Sequence, residues 1–467
     1  MDKETATMDG IQESAKNMVT IQSSDVVVPS EITPTSISSL SLCDQIKLPN
    51  HGSQLYIYAN TRITDDSSFA SAVHTLSTSL SKTLTVFHPF AGRLRRIHGG
   101  RFQLLCNAKG VLLVAATCNT ELSFEDLCEF APTYAVPKIN YDVPIEDVPL
   151  LVAQVTRFPC GFITLGIAMC RAFLDGTSLS NFISSWAKLA RGESLDSGLT
   201  PLFDRSKLDS FKLNKPPRFE HIEFLPPPLW TKRDEVMQHE LGTALMVLTK
   251  GQVQKLKNKA SDFGSGHGRG FTSFEVISGH LWRCMCKVRY LGDASQPTRL
   301  NTLVNCRNRL RPSLPTAYFG NATFPTVTET CSFDDIMQKP LGYAVRKVSE
   351  SIERMRDEYV RSALDYIERV EDMDLFRDTF YNSAGKGRED PNVNVVGWAN
   401  FLYFETDFGW GKPVILLPGN INSNGKAFLL DTASGDGFVV AVCLRKSYVD
   451  ALKKLFYEDI EKHASKL

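Results

Sequence analysis

The sequence has 467 residues, of which 43% are hydrophobic and 22% charged, and its 52 lysine and arginine residues balance its 52 acidic residues. This balance argues against nucleic acid or an anionic membrane as a partner, and every apolar run is shorter than the ~20 residues of a membrane helix. The length predicts two domains of about 200 residues each. Eleven scattered cysteines without CxxC or metal-ligand spacing predict free thiols in a reducing compartment and no metal site.

The N-terminal half alternates strand and helix patterns after a polar segment, residues 1–17, which is predicted to be disordered. Apolar residues at 18–28 predict the first strand, and a stripe of apolar residues predicts a helix over 68–84. The other elements expected in this half are strands at 54–58, 102–106 and 111–117 and an acidic helix capped by Ser123.

The most informative stretch is 162–191. An apolar run at 162–170 predicts a strand that pairs with a strand at 151–158. The chain then passes Arg171, turns at Asp175 and Gly176, and enters a helix whose apolar face carries Leu179, Phe182, Ile183, Trp186 and Leu189. A strand that leads into a helix N-terminus presents free N–H groups and the positive end of the helix dipole. We therefore expect the chemistry of the protein at this junction.

The second half follows a proline-rich stretch, 199–232, that is predicted to be the crossover between domains. The glycine-rich loop 262–270 lacks the Gly-Lys-Ser/Thr ending of a phosphate-binding loop and is predicted to be a surface loop. Thr272 and Glu275 have the spacing of a capping box. The other elements expected here are strands at 244–248, 300–304, 395–404, 427–431 and 438–444 and helices from Lys250, at 341–372 and at 446–463.

Two motifs carry a resemblance to a known family. Residues 407–411 read Asp-Phe-Gly-Trp-Gly, and residues 171–176 read Arg-Ala-Phe-Leu-Asp-Gly in the place of His-x-x-x-Asp-Gly. Segments 88–93, 272–283 and 318–321 support the resemblance. Over about residues 18–460 the chain resembles the plant BAHD acyltransferases, most closely their hydroxycinnamoyl-transferase-like branch, with the motif histidine replaced by arginine.

The resemblance implies a fold of two similar-sized mixed α/β domains, like that of chloramphenicol acetyltransferase, with a channel between them. The expected domains are 18–198 and 236–467, joined by a linker at 199–235. The family transfers an acyl group, aromatic or short, from a coenzyme A thioester to an amine or alcohol of plant specialised metabolism, and acts as a monomer. Coenzyme A is therefore expected as a co-substrate, with no bound cofactor; the residues that contact it are not assigned.

The resemblance also implies roles for individual residues. The motif histidine is the general base of the family, and Asp175 matches the aspartate that shapes the loop by pairing with an arginine, here expected to be Arg307. Trp410 is expected to approach the reaction centre. The remaining residues of the second motif, Asp407, Gly409 and Gly411, are expected to be structural.

Arg171 cannot serve as the base, because its guanidinium stays protonated and carries only donors. In one interpretation the protein is still an acyltransferase, and either the acceptor is an amine that attacks as its free base or another residue, such as His280, takes the proton. In a second, Arg171 binds a carboxylate or stabilises an oxyanion or enolate in lyase or cyclisation chemistry. In a third, catalysis is lost, Arg171 forms a buried salt bridge, and the protein acts by binding.

Other polar residues have structural alternatives. His280 and His88 are each compatible with a packed, hydrogen-bonded role, and Cys170 with that of a buried strand cysteine. Ser41 and Asp44 are expected to fix the N-terminal loop.

The sequence ends in Ser465, Lys466 and Leu467, the tripeptide that the peroxisomal import receptor recognises. This predicts a peroxisomal protein, with the cytoplasm as the alternative. In that organelle a benzoyl- or cinnamoyl-type acyl-CoA would be available as donor.

Overall fold

The computed structural model describes residues 18–59, 61–195, 200–231, 239–261, 269–382, 390–399, 401–419 and 421–461. The polar segment 1–17, most of the glycine-rich loop and the C-terminal tripeptide lie outside these residues. The chain packs into two units: Met1–Arg205 with Ala317–Asn321 and Phe401–Asn420, and Ser206–Thr316 with Ala322–Asn400 and Ile421–Leu467. The sequence predicts one domain over 236–467, whereas two short segments of this range, Ala317–Asn321 and Phe401–Asn420, belong to the first unit.

The first unit contains both helices and strands. In chain order they are β1 Val19–Val27, β2 Ser36–Ser39, α1 Leu42–Gln45, β3 His51–Tyr58, α2 Asp66–Val86, β4 Arg93–Arg96, β5 Phe102–Cys106, β6 Val111–Cys118, α3 Phe124–Tyr134, β7 Leu151–Arg157, β8 Ile163–Cys170, α4 Gly176–Ala190 and, from the second half of the chain, β15 Ile415–Pro418.

The main sheet of the first unit has six strands in the order β1-β6-β7-β8-β3-β15. Only the β6–β7 pair is parallel, so the sheet is mixed. Strands β2, β5 and β4 form a smaller sheet. Helix α4 packs on α2, where the indole N–H of the buried Trp186 donates to the carbonyl O of Leu76 (3.2 Å) and to Oγ of Ser79 (3.0 Å). These contacts fix the helix that follows the predicted reaction centre.

The second unit has the same kind of architecture. Its elements are α5 Ser206–Asp209, β9 Leu241–Thr249, α6 Lys250–Ser261, α7 Ser273–Arg289, β10 Pro297–Thr298, β11 Leu300–Asn305, β12 Thr323–Val327, β13 Cys331–Ser332, α8 Phe333–Gln338, α9 Leu341–Arg354, α10 Asp357–Glu368, α11 Met373–Asn382, β14 Val393–Gly397, β16 Lys426–Asp431, β17 Gly437–Arg445 and α12 Val449–Glu461. Its six-stranded mixed sheet has the order β12-β11-β14-β16-β17-β9. Two mixed α/β units therefore confirm the predicted fold class.

The helix predicted over 341–372 is broken into α9 and α10. Met355 leaves the helical region with ψ 59° and is fully buried. At the break, the guanidinium of Arg309 donates to the carbonyl O atoms of Ile352 (2.9 Å) and Met355 (3.2 Å). The prediction of one helix was wrong because the break is bound by Arg309, which is distant in sequence and leaves no local signal in 341–372.

The predicted crossover is fastened to α10 by polar contacts within the second unit. Oγ of Ser362 accepts from the backbone N–H of Arg218 (2.9 Å) and contacts Nε2 of His221 (3.0 Å), whose Nδ1 lies 3.0 Å from Oε1 of Glu223. All three polar side chains are buried.

In the described part of the chain no helix is long and apolar enough to cross a membrane. The eleven cysteines are free thiols.

Candidate active site

The junction between β8 and α4 has the conformation that the sequence predicts. Every residue of β8 is buried, and the strand ends where the backbone N–H of Arg171 donates to the carbonyl O of Asn50 (2.9 Å). Asp175 is the N-cap of α4, since its carboxylate accepts the backbone N–H of Ser178 (3.1 Å). Gly192 ends the helix with φ +77°. The motif thus spans a short loop held at both ends.

The loop is also held by two side chains that bind its carbonyl groups. Nδ2 of Asn321 donates to the carbonyl O of Arg171 (3.0 Å), and Nη1 of Arg205 donates to the carbonyl O of Phe173 (2.8 Å). Both donors also bind Asp44, Asn321 at Oδ1 (2.8 Å) and Arg205 at Oδ2 (2.7 Å). The three side chains are almost inaccessible to water. Asp44 is therefore the centre of a buried network that shapes the loop.

Ser41 completes the environment of Asp44. Its backbone N–H (2.9 Å) and its hydroxyl (2.7 Å) both donate to Oδ2 of Asp44, in the capping box of α1. On the other side of the loop, Oγ of Ser178 donates to the carbonyl O of Gly320 (3.0 Å) and accepts from the backbone N–H of Gly320 (3.1 Å). The expected role of Ser41 and Asp44 in fixing this region agrees with these contacts.

The side chain of Arg171 lies across strand β3. Met169 pairs with Gly52 in the sheet, so Arg171, two residues further, is on the same face as Gly52. A Cβ atom on Gly52 would lie 3.1 Å from Nε, 3.6 Å from Cζ and 3.4 Å from Nη2 of Arg171. The guanidinium therefore occupies the space that a side chain at position 52 would fill.

A chain of buried hydrogen bonds continues along the same face of β3. The hydroxyl of Tyr56 donates to Oε1 of Gln54 (3.1 Å), and Nε2 of Gln54 donates to the hydroxyl of Tyr403 (3.0 Å). A Cβ atom on Gly176 would lie 3.3 Å from that hydroxyl, which places Tyr403 at the N-terminus of α4. Burial raises the pKa of both tyrosines, so their hydroxyls stay protonated.

Two further titratable residues lie close to Arg171. Burial, with a smaller contribution from the charge of Arg171, lowers the pKa of His51 to about 4. Its ring contacts the hydroxyl of Tyr141 (2.9 Å) and the carbonyl O of Pro149 (2.8 Å). Burial also lowers the pKa of Lys47, whose amine is close enough to Asp44, Asp175 and Arg171 to respond to their charges. Neither residue carried a sequence motif, and the sequence analysis missed both.

Cys170 shows no sign of a nucleophile. It is buried at the end of β8, and burial raises the pKa of its thiol to about 12, so that the thiolate is not formed near neutral pH. The structural interpretation of this cysteine is therefore supported.

His280 lies in the buried core of the second unit. Its Nε2 is 2.9 Å from the carbonyl O of Phe456, and its ring centroid is 4.6 Å from that of the same residue. Burial lowers its pKa to about 4. Because a carbonyl only accepts, Nε2 carries the proton and donates it. These contacts are those of a packed histidine, and they correct the suggestion that His280 takes a proton from the acceptor.

The motif at 407–411 forms a turn in the first unit. Gly409 and Gly411 have φ +95° and +86°, and their backbone N–H groups both donate to Oδ1 of Asp407 (2.7 and 2.9 Å). The guanidinium of Arg191 binds the carbonyl O of Asp407. These contacts agree with the structural role expected for the aspartate and the two glycines.

Trp410 is placed away from Arg171. Its ring contacts that of Tyr58 with 5.4 Å between centroids. Tyr58 is six residues along β3 from Gly52, a distance of about 20 Å in an extended strand. Trp410 thus packs in the first unit towards the far end of β3 from Gly52, and its approach to the reaction centre stays a prediction. The pairing of Asp175 with Arg307 stays a prediction; Nη1 of Arg307 contacts Oδ1 of Asn305 (3.4 Å).

Comparison with known proteins shows the family of the chain. A family model described as "Transferase family" matches residues 17–459. The chain is 35% identical to a hydroxycinnamoyl-CoA:piscidic acid hydroxycinnamoyltransferase of Actaea racemosa, covering 95% of this chain and 100% of the relative. It is 35% identical to a rosmarinate synthase of Plectranthus scutellarioides (94% and 99% covered) and 34% identical to an anthranilate N-benzoyltransferase protein 2 of Dianthus caryophyllus (94% and 99% covered).

The chain belongs to the BAHD acyltransferase family. Among solved structures, vinorine synthase matches with a TM-score of 0.68 at 22% identity, covering 93% of this chain and 96% of the other. The F. graminearum TRI101 structure complexed with coenzyme A and T-2 mycotoxin matches with a TM-score of 0.74 at 16% identity, covering 90% and 97%. These similarities support the fold.

As a BAHD acyltransferase, the protein is an enzyme whose co-substrate is a coenzyme A thioester. Residues 171–176 of the chain read Arg-Ala-Phe-Leu-Asp-Gly, and the replacement of a motif histidine by Arg171 stays a prediction of the resemblance. Among the residues that the structure describes, no group of three His, Cys, Asp or Glu side chains is arranged to hold a metal ion.

Proposed function

We propose that this enzyme transfers an aromatic or short acyl group from coenzyme A to an amine, or more slowly to an alcohol, by a mechanism without a histidine base. The observation that carries the proposal is the position of Arg171 in a fully built motif loop. Asn321 and Arg205 bind the carbonyl groups of the loop, and Asp44 binds both of them. A fully satisfied buried network holds the loop in one conformation and so keeps Arg171 in a fixed place.

The guanidinium cannot accept the proton of the nucleophile, so the acceptor must bring its own lone pair. A neutral amine attacks the thioester carbonyl carbon, and the resulting oxyanion is stabilised by hydrogen-bond donors such as the guanidinium of Arg171. The C–S bond then breaks, the coenzyme A thiolate leaves, and the amine proton passes to that thiolate or to water. Proximity of the two bound substrates lowers the barrier further.

An alcohol has no such reactive neutral form. A general base contributes about 10²- to 10⁴-fold to a proton-transfer step, so transfer to alcohols should be slowed by a factor of this size. The name of the Dianthus caryophyllus relative specifies N-benzoyl transfer to anthranilate, which is an aromatic acyl transfer to an amine. This relative supports the amine acceptor.

The test is a screen of the purified protein, with Arg171→His and Arg171→Ala variants, against benzoyl-, cinnamoyl- and acetyl-CoA with paired amine and alcohol acceptors. The proposal predicts amine acylation by the wild type and reduced amine acylation by Arg171→Ala. Turnover by Arg171→His alone would indicate that the wild type has simply lost its base. Elimination or cyclisation of a carboxylate-bearing substrate would identify a repurposed site, and acyl-CoA binding without turnover in either form would identify a binding protein.

We also propose that the enzyme acts in the peroxisome. The proposal rests on Ser465, Lys466 and Leu467 at the C-terminus. A fluorescent protein fused in front of these residues should enter peroxisomes, and deletion of Leu467 should leave it in the cytoplasm. A diffuse signal from the intact fusion would contradict the proposal.

A further inference from the structure

We propose that Arg191, at the C-terminus of α4, is a positioning residue for acyl transfer. It fixes the place of α4 and, through this helix, the place of the motif loop at 171–176. The helix thus connects the two motifs of the sequence. The inference goes beyond the proposed function, because it assigns a role to a residue outside both motifs and does not depend on the class of acceptor.

The first observation is the direct contact of Arg191 with the second motif. Its Nη1 donates to the carbonyl O of Asp407, while its Nε (2.6 Å) and Nη2 (2.8 Å) donate to the two carboxylate oxygens of Glu193. A bidentate pair of this kind holds the guanidinium in one orientation. The side chain of Arg191 is 24% exposed, so water screens these contacts only in part. The guanidinium therefore ties the end of α4 to the turn at 407–411.

The second observation is an aromatic contact at the same end of the helix. The ring of Trp186, five residues before Arg191, packs edge-on against the ring of Phe408, with 5.0 Å between the centroids and 78° between the planes. Trp186 is fully buried. Because the two contacts lie at different points on the helix, together they restrict both its translation and its rotation about its axis.

The third observation is that the segment 401–411 also contacts the other end of α4. A Cβ atom on Gly176 would lie 3.3 Å from Cζ of Phe401 and 3.3 Å from the hydroxyl of Tyr403. The helix has 15 residues, so its two ends are about 22 Å apart. A hydrogen-bonded helix moves as a rigid element. A displacement at its C-terminus is therefore passed on to its N-terminus.

The motif loop is attached to that N-terminus. The carboxylate of Asp175 accepts the backbone N–H of Ser178 (3.1 Å), and Oγ of Ser178 donates to the carbonyl O of Gly320 (3.0 Å). A shift of the helix along its axis would move Asp175 and the loop with it. A misplacement of about 1 Å by a change far from the reacting atoms can cost about 100-fold in rate. The rate of transfer is thus expected to depend on a bond at the opposite end of the helix.

The first test measures benzoyl transfer from benzoyl-CoA to 2-aminobenzamide, an aromatic amine, by variants of Arg191. Arg191→Met removes every donor and keeps an unbranched side chain. It should lower kcat by about 10- to 100-fold, while KM for benzoyl-CoA stays as in the wild type. Arg191→Lys keeps a charged donor for the carbonyl O of Asp407 and should recover most of kcat.

The matched control is Arg157→Met. Arg157 is an arginine of the same unit, its side chain is 18% exposed, and it pairs with the exposed carboxylate of Asp66. Its loss removes a comparable ion pair that does not involve α4. Arg157→Met should therefore leave kcat as in the wild type.

The second test does not need turnover. Hydrogen exchange followed by mass spectrometry reports the local opening of backbone hydrogen bonds along the chain. Arg191→Met should speed exchange at 171–178, at the far end of α4, as well as at 186–193 and 407–411. Arg157→Met should leave exchange at 171–178 unchanged. Faster exchange confined to 186–193 and 407–411 would show that Arg191 is only a local contact and would overturn the inference.

An unchanged kcat in Arg191→Met, or an Arg191→Lys variant as slow as Arg191→Met, would also overturn the inference. If the wild type does not acylate 2-aminobenzamide, the proposed function fails for this acceptor, while exchange at 171–178 still decides the role of Arg191. All variants are compared below their unfolding midpoints. If Arg191→Met does not fold, Arg191→Gln replaces it in both tests with the same expected results.

Discussion

Oδ2 of Asp44 lies 2.7 Å from Nη1 of Arg205, and the two side chains are 0% and 5% exposed. The same arginine nitrogen reaches the carbonyl O of Phe173 inside the motif loop. A buried charge that loses its partner has no water to compensate it, so the pair is held far more strongly than a surface ion pair. The shape of the loop therefore depends on a residue that belongs to neither motif.

Arg205→Ala should lower the free energy of unfolding by about 3–5 kcal/mol, because it leaves Asp44 buried with one partner fewer. The matched control is Lys109→Ala in the exposed pair Lys109–Asp147, where the ions are 2.8 Å apart and the side chains are 45% and 54% exposed. That change should cost far less, because water screens an exposed pair. Urea unfolding measures both, and equal costs would show that the Asp44–Arg205 pair is not the anchor described here.

Trp410→Ala should lower stability without a specific effect on catalysis. The ring contacts Tyr58 and Phe408, and loss of a half-buried aromatic group costs about 1–3 kcal/mol. Because Trp410 lies at the other end of β3 from Gly52, KM for both substrates should stay as in the wild type.

Tyr403→Phe is the comparison variant for Trp410→Ala. It removes the hydroxyl that Gln54 binds at the N-terminus of α4 and should lower kcat/KM with little loss of stability. Steady-state kinetics and thermal unfolding of the two variants separate the roles. A fall in kcat for Trp410→Ala at unchanged stability would return Trp410 to the reaction centre.

The stability of the protein should fall at acid pH through His280. Burial lowers its folded-state pKa to about 4, below the unfolded value of about 6.5. The unfolded chain therefore binds the proton first, and stability is fully present above pH 6.5 and is lost as the pH falls towards 4. The loss is on the order of 3 kcal/mol.

His280→Gln should flatten the pH dependence of the unfolding midpoint in this window, while the same change at the exposed His74 should not. Unfolding followed at several pH values between about 4 and 7 tests this. An unchanged slope in His280→Gln would mean that the histidine is not held neutral by burial.

Local patterns in the sequence were sufficient for the elements around the site. Apolar runs predicted β8 and the buried face of α4, and the spacing of Thr272 and Glu275 predicted a capping box that the structure confirms. These features depend on residues only a few positions apart, where helix and strand periodicity governs the outcome.

The network around the loop could not be predicted in this way. Asp44 meets Arg205 across 161 positions and Asn321 across 277, and no local pattern specifies such contacts. The contact of Trp410 with Tyr58 could not be predicted for the same reason, since β15 pairs with β3 from the far end of the chain. Gly52 carried no signal in sequence, because only the fold brings Arg171 against it.

Arg171 is proposed to support acyl transfer without a histidine base. The most direct test is the pH dependence of kcat/KM for benzoyl transfer to 2-aminobenzamide. This acceptor is neutral near pH 7, so a wild-type profile without a histidine limb between about pH 5.5 and 8 is predicted. Arg171→His should introduce a limb with an apparent pKa near 6.5. A wild type that is inactive at every pH, beside an active Arg171→His variant, would contradict the account.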